Sequence, residues 1–316
     1  MARVLGMAFL FLFLWRFFWM VHTALFLALL AILIAIILHV PAKLLSRWIP
    51  FRVAFAIVLL LFVGGLVGLL VAIIPQLLEQ GTSLASSLPQ SLESLAEWFR
   101  RKTGAPPDPE LREKIQRQLG QFAARFLPAA FNAITTVLGS TAIVVLAAFL
   151  AAEPGLYVKQ VLALVPEDKR PRWERLFDEA GRNLRAWVIG KAFTMLGIGV
   201  ATYLGLTLLG VPGALALAAF AALMEFIPNF GPTIAAIPAI IAAFAVSPAT
   251  AVYVAAFYFL LQQVQNAITV PLVERRAVNI PPGALLIWQL MLAIGFGLLA
   301  LFVATPLLAV LVVAVR

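Results

Sequence analysis

Residues 4 to 40 carry a single charged side chain, Arg16, and this run constrains the chain more than any other feature. At about 1.5 Å per helical residue it is nearly twice as long as the ~30 Å hydrocarbon core of a bilayer requires. Two consecutive helices are predicted there, with a break at Trp15, Arg16 and Trp19, residue types that collect at membrane interfaces. No small-residue cleavage site leads into a polar mature segment, so the run is read as membrane-embedded rather than as a cleaved leader. Composition agrees. Apolar residues make up 63% of the 316 and charged residues 12%, against roughly 45–50% and 25% in soluble domains. A soluble fold of this size would lack the polar side chains to cover its surface.

The predicted fold class is all-α: a polytopic transmembrane helical protein of about eight spans, within a range of about six to nine, including Pro/Gly-broken or re-entrant hairpins. Residues 53 to 74, 133 to 152 and 192 to 209 read as clear spans. Residues 213 to 227 and 233 to 246 are each too short for an ordinary span, and 228 to 232 between them hold two prolines and a glycine. Short segments interrupted in this way are how discontinuous membrane helices look. Residues 249 to 271 form a longer helix with a polar end, and Thr305 and Pro306 are expected to divide the uncharged stretch 284 to 315.

Two polar regions separate the spans. Residues 79 to 131 hold seven basic and six acidic side chains, and Asp108 before Pro109 makes a helix start. Residues 153 to 191 hold eight basic and six acidic, and the loop 41 to 52 has Lys43, Arg47 and Arg52 with no acid. The organisation predicted is N-terminal transmembrane helices over 1–78, an extracytoplasmic helical cap over 79–131 and a transmembrane helix over 132–152. A cytoplasmic amphipathic region over 153–191 and a C-terminal transmembrane core with broken helices over 192–316 complete it. Placing 41–52, 153–191 and 272–283 in the cytoplasm puts each basic excess on one side of a cytoplasmic (inner) membrane. The net charge of +9 is accordingly assigned to anionic lipid head groups, with no nucleic acid as partner.

Several chemistries are disfavoured. The chain has no cysteine, and His22 and His39 lack partners at ligand spacing, so no metal site is expected. Neither a Ser/His/Asp order, nor a phosphate loop, nor a His-Glu zinc motif occurs, so no enzyme and no cofactor are expected.

Ionisable residues inside lipid are costly and are therefore candidates for function. Glu225 stands out as the one carboxylate between Glu179 and Glu274, three residues before Pro228. It can carry a proton or hold a monovalent cation; the alternative is a glutamate that snorkels to water or pairs with Lys191. Pro228, Gly231 and Pro232 mark a broken helix whose freed carbonyls need partners, and in lipid that points to a polar pathway or hinge. The alternative there is an interfacial loop. Gln262, Gln265, Asn266 and Thr269 stand at i, i+3, i+4 and i+7 and so share one helical face, either lining a path for a hydrated solute or binding helices together. Lys191, at a helix start, is expected to snorkel to head groups.

The segment Glu225 Phe226 Ile227 Pro228 Asn229 Phe230 Gly231 Pro232 resembles the Ile-Pro-x-x-Gly-Pro signature of the autoinducer-2 exporter family of bacterial and archaeal membrane proteins. Gln262 Gln263 leading to Pro271 resembles that family's double-glutamine helix. Gly295 Phe296 Gly297 through Ala304, Thr305, Pro306 and Leu307 resembles its C-terminal segment. In combination these are specific, and with the two polar regions they extend over nearly the whole chain. There are departures: Gln265 stands where many members carry Glu, Lys191 where Gln often follows Gly, and Ile280 where His often precedes Pro281. The missing carboxylate at Gln265 shifts an ion-coupling role toward Glu225. The resemblance implies export of the signal autoinducer-2, or exchange of sodium or lithium for protons, by a homo-oligomer such as a pentamer with mobile hairpins.

The function expected is a secondary transporter using a proton or sodium as coupling ion, with membrane lipid, a small polar solute or a monovalent cation as partners. Glu225, Asn229, Gln262, Gln265 and Asn266 are the candidate substrate- and ion-binding residues; Pro228, Gly231, Pro232 and Pro306 are the candidate hinges. An oligomeric channel and a non-transporting membrane scaffold are the alternatives.

Overall fold

The computed structural model describes residues 2–68, 71, 93, 97, 100, 101, 114, 117, 141–244, 246–267 and 281–315. Every regular element among them is a helix, which suits lipid because a helix pairs its own backbone donors and acceptors without water. In chain order these are α1 (Ala2–Leu45), α2 (Phe51–Gly68), α3 (Thr141–Ala152), α4 (Pro154–Ala163) and α5 (Arg170–Leu208). They continue with α6 (Ala214–Met224), α7 (Phe230–Phe244), α8 (Pro248–Val264), α9 (Pro282–Phe296) and α10 (Leu298–Val315). The expected cap at 79–131, apart from isolated positions, lies outside the described residues, as do Thr269, Pro271 and Ile280.

Phe9–Leu45, Phe51–Gly68 and Arg170–Leu208 are long and apolar enough to cross a membrane. The expected span at 53 to 74 is described to Gly68 as α2, the one at 192 to 209 corresponds to the second half of α5, and the one at 133 to 152 is described from Thr141 as α3. The chain bends by 85° between α3 and α4, at Glu153 and Pro154, where proline suits the first position of a new helix but not the interior of an old one. The carbonyl of Ala151, next to this bend, is bound by His39 Nδ1 of α1 at 2.8 Å.

Four sequence expectations change. Residues 4 to 40 form one helix, not two: α1 is continuous for 44 residues. Trp15, Arg16 and Trp19 include no helix breaker, and the rings pack along the helix, Phe11 stacked on Trp15 at 6.3 Å and Trp15 edge-on to Trp19 at 5.9 Å. The boundary drawn at 191/192 falls inside α5, so the basic region and the membrane core share one continuous helix. Pro306 does not divide the last stretch, because α10 runs through it. The interruption is at Gly297, whose φ of 78° a side chain rarely tolerates. Pro232 likewise lies within α7, as its third residue, where the missing N–H would have had no helical partner in any case.

Two apolar clusters organise the packing. One gathers Leu217, Phe220 and Met224 of α6 with Ile234 of α7, Ile198 and Leu206 of α5, and Val254 of α8. The other gathers Leu33 and Leu38 of α1, Ile143 and Ala147 of α3, Trp187 of α5, and Val303 of α10. Phe226 packs against both, edge-on to Trp187 at 5.4 Å and stacked on Phe302 at 6.0 Å. The turn that carries Glu225 is thereby seated where the two clusters meet.

Candidate functional site

The α6–α7 turn is built from its backbone outward. The helix stops at Met224, the Ile227 amide donates to the Met224 carbonyl at 2.9 Å, and Pro228 has no amide to continue the ladder. Asn229 adopts φ 66°, the left-handed conformation that asparagine tolerates better than most residues. The amides of Phe230 and Gly231 then donate to the Pro228 and Ile227 carbonyls, at 2.8 and 2.9 Å, and α7 begins. Only glycine fits at 231, because a Cβ there would run into the Met224 carbonyl.

This turn aims Glu225 inward, where the residue is 4% exposed. Its Oε1 accepts a hydrogen bond from Lys191 Nζ of α5 at 3.0 Å, and its Oε2 accepts one from Gln265 Nε2 at 2.8 Å. Lys191 is itself 2% exposed, and Gln265 is 5% exposed. Thr194 Oγ1, one turn along α5, donates to the Lys191 carbonyl at 2.9 Å. The site is thus a buried ion pair with an amide on its second oxygen, assembled from α5, the broken helix and the end of α8. Removing two charges from water is expensive, and tolerable only when each is paired and the remaining lone pairs are bonded. Both conditions hold here.

A second polar set braces the turn from the other side. Asn229 Nδ2 donates to Gln289 Oε1 of α9 at 3.1 Å, and Gln289 Nε2 donates to the Pro228 carbonyl at 3.3 Å. Gln289 is fully buried, so a carbonyl next to the helix break finds its partner inside the protein.

Of the residues predicted from sequence, Glu225 and Gln265 come together, while Asn229 pairs with Gln289 instead. The stripe on α8 does not act as one face. The backbone widens into a π-helical turn at residues 265–267, Gln265 points into the protein, and Gln262 Nε2 donates to Asn266 Oδ1 at 3.3 Å on the exposed side. Extra residues per turn rotate side chains that an ideal helix would align. Lys191, expected to reach for head groups, is instead buried against Glu225, the alternative pairing for that carboxylate. Gln289 was not singled out; its signal was being the one amide side chain in the uncharged stretch from 284 to 315.

A family model described as AI-2E family transporter matches residues 7–316. The chain is 29% identical over 157 residues to "Putative transport protein YueF" of Bacillus subtilis (strain 168), covering 50% of this chain and 42% of that protein. It is 27% identical over 203 residues to "Putative transport protein YrrI" of the same organism, covering 63% of this chain and 58% of the relative. A "Putative transport protein" of Methanothermobacter thermautotrophicus is 31% identical over 120 residues, covering 35% of this chain and 36% of its own. The chain therefore spans about half the length of the first two relatives.

Proposed function

The chain belongs to the AI-2E family of transporters, and we propose that it is a membrane-embedded secondary transporter in which Glu225 binds the coupling cation. The observation that supports this most is the Glu225 carboxylate, buried at a broken helix, with one positive charge and one amide against its two oxygens. A carboxylate in apolar surroundings demands one compensating positive charge, which a proton or a sodium or lithium ion can supply as readily as an ammonium. Exchange of sodium or lithium for protons is the activity this geometry favours. Movement of the α6–α7 hairpin against α5 would expose Glu225 to alternate sides of the cytoplasmic membrane, by the logic of broken-helix transporters.

Export of a small polar solute resembling autoinducer-2 is the second reading, favoured by the Asn229–Gln289 pair, which offers amide donors and acceptors beside the same break. The two readings separate in proteoliposomes of purified protein that report internal pH while sodium, lithium or autoinducer-2 is added in turn. A saturable proton movement triggered by one addition and absent from Glu225→Gln is the expected result. Wild-type flux from Glu225→Gln at every pH would remove the role assigned to this residue. Current that rises with the gradient without saturating would replace the carrier with a channel.

A further inference from the structure

Four buried polar side-chain atoms lack a hydrogen-bond partner among the described residues: Trp187 Nε1, Thr305 Oγ1, Thr202 Oγ1 and Tyr258 OH. The last two lie within reach of each other, Thr202 on α5 and Tyr258 on α8. Thr202 is 0% exposed and Tyr258 7%. A bond between the two hydroxyls would use only one of their two protons, so a donor and most of the lone pairs stay unsatisfied either way. Threonine in a helix has a ready remedy, which is to donate to a carbonyl one turn back. Thr194 of the same helix takes it, by bonding the Lys191 carbonyl at 2.9 Å, and Thr202 does not.

The pair is aligned with the Glu225 site. Lys191, Thr194, Ile198 and Thr202 are spaced i, i+3, i+7 and i+11 and share the buried face of α5, while Tyr258 and Gln265, spaced i and i+7, are both buried on α8 and at its end. At about 1.5 Å per residue, Thr202 is about 16 Å along α5 from Lys191, and Tyr258 about 10 Å along α8 from Gln265. Ile198 and Leu261 belong to the apolar stretch between the two levels. Gly205, one turn beyond Thr202, admits the Phe257 ring, which a Cβ there would strike, so α5 and α8 are in close contact at this level. Gly199 packs on Ala218 and Ala222 of α6, which sets Thr202 toward the base of the α6–α7 hairpin, with Glu225 at its tip.

Two hydroxyls offer donors and acceptors but no charge. They can satisfy a guest hydroxyl in both senses, and they cannot neutralise an ion. We propose that Thr202 and Tyr258 form a binding station for a small, neutral, hydroxyl-bearing solute, separate from the Glu225 turn but on the same faces of the same two helices. This rests on the second reading above, export of a polar solute, and adds to it two residues away from the broken helix. The guest hydroxyl donates to one side chain and accepts from the other, which supplies the partners that the protein itself does not.

The test is saturable flux of autoinducer-2 in proteoliposomes of the purified full chain, measured as initial rate against concentration, with thermal unfolding of the same preparations alongside. Thr202→Val combined with Tyr258→Phe removes both hydroxyls at nearly constant shape. This double variant is expected to unfold at or above the wild-type temperature, because buried polar groups without partners are gone, yet to show a KM raised at least several-fold. Thr202→Val alone is expected to raise KM as well, whereas Thr202→Ser, which keeps the hydroxyl, stays near the wild-type value. A lower unfolding temperature in the double variant overturns the proposal, since the hydroxyls would then be structural bonds. An unchanged KM in the double variant, or a KM as high in Thr202→Ser as in Thr202→Val, overturns the proposal and leaves the transport reading standing. Absence of saturable autoinducer-2 flux from wild type removes the solute reading, and the proposal with it.

Discussion

Lys191 and Glu225 are 34 positions apart in sequence, yet their side chains meet at 3.0 Å and are all but withdrawn from the surface. Breaking such a pair from one side leaves the other charge buried and uncompensated, which costs about 3–5 kcal/mol. Lys191→Met is therefore expected to lower the thermal unfolding midpoint in detergent strongly. The double variant Lys191→Met with Glu225→Gln is expected to recover most of that loss. A double variant no more stable than the single one would mean that the pair is not what the charge burial depends on.

At Gly231 the constraint is steric rather than electrostatic. An alanine there would press its Cβ against the Met224 carbonyl, and the backbone of the turn would have to shift. Overpacking of this type costs about 1–3 kcal/mol. Gly231→Ala is expected to unfold at lower temperature than wild type and to lose the Glu225–Gln265 contact, since Gly231 and Glu225 lie on the same turn. Unchanged unfolding in a fluorescence-monitored melt would show that the turn has slack.

Asn229 combines a left-handed backbone with a side-chain bond to Gln289. The two contributions separate by substitution. Asn229→Gly keeps the conformation and loses the hydrogen bond, whereas Asn229→Ala loses both, with the left-handed penalty adding about 1–2 kcal/mol. The alanine variant should be the less stable of the two; equal stabilities would place the whole effect in the hydrogen bond.

Gln289 donates to the Pro228 carbonyl and accepts from the Asn229 amide. Gln289→Leu fills the volume but removes both hydrogen bonds, leaving the Pro228 carbonyl its Phe230 amide and the exposed Asn229 amide to water, a loss of about 0.5–1.5 kcal/mol per bond. Hydrogen exchange read by mass spectrometry is expected to show faster exchange in a peptide covering residues 225 to 235 in this variant than in wild type. Identical exchange in the two proteins would show that the turn does not depend on α9.

The polytopic helical class was legible in the sequence because it follows from a local quantity, the length of uncharged apolar runs compared with a bilayer. Glu225 and the Pro228–Gly231 break were legible for a related reason: a lone carboxylate and a pair of prolines in apolar surroundings are anomalies visible in one dimension. Helix continuity was less so. Aromatic and basic residues at 15 to 19 suggested an interface, but a helix ends only where its backbone ladder fails, and nothing there makes it fail. At the other end of the chain Gly297, at φ 78°, interrupts the helix and Pro306 does not. Partners across helices were decided by tertiary structure alone. The sequence alone allows Lys191 to reach for head groups and Gln265 to face the same way as Gln262. Burial of α5 against the broken helix removed the first alternative and the π-helical turn at the end of α8 removed the second, because in a low-dielectric interior a charge goes where its counter-charge is.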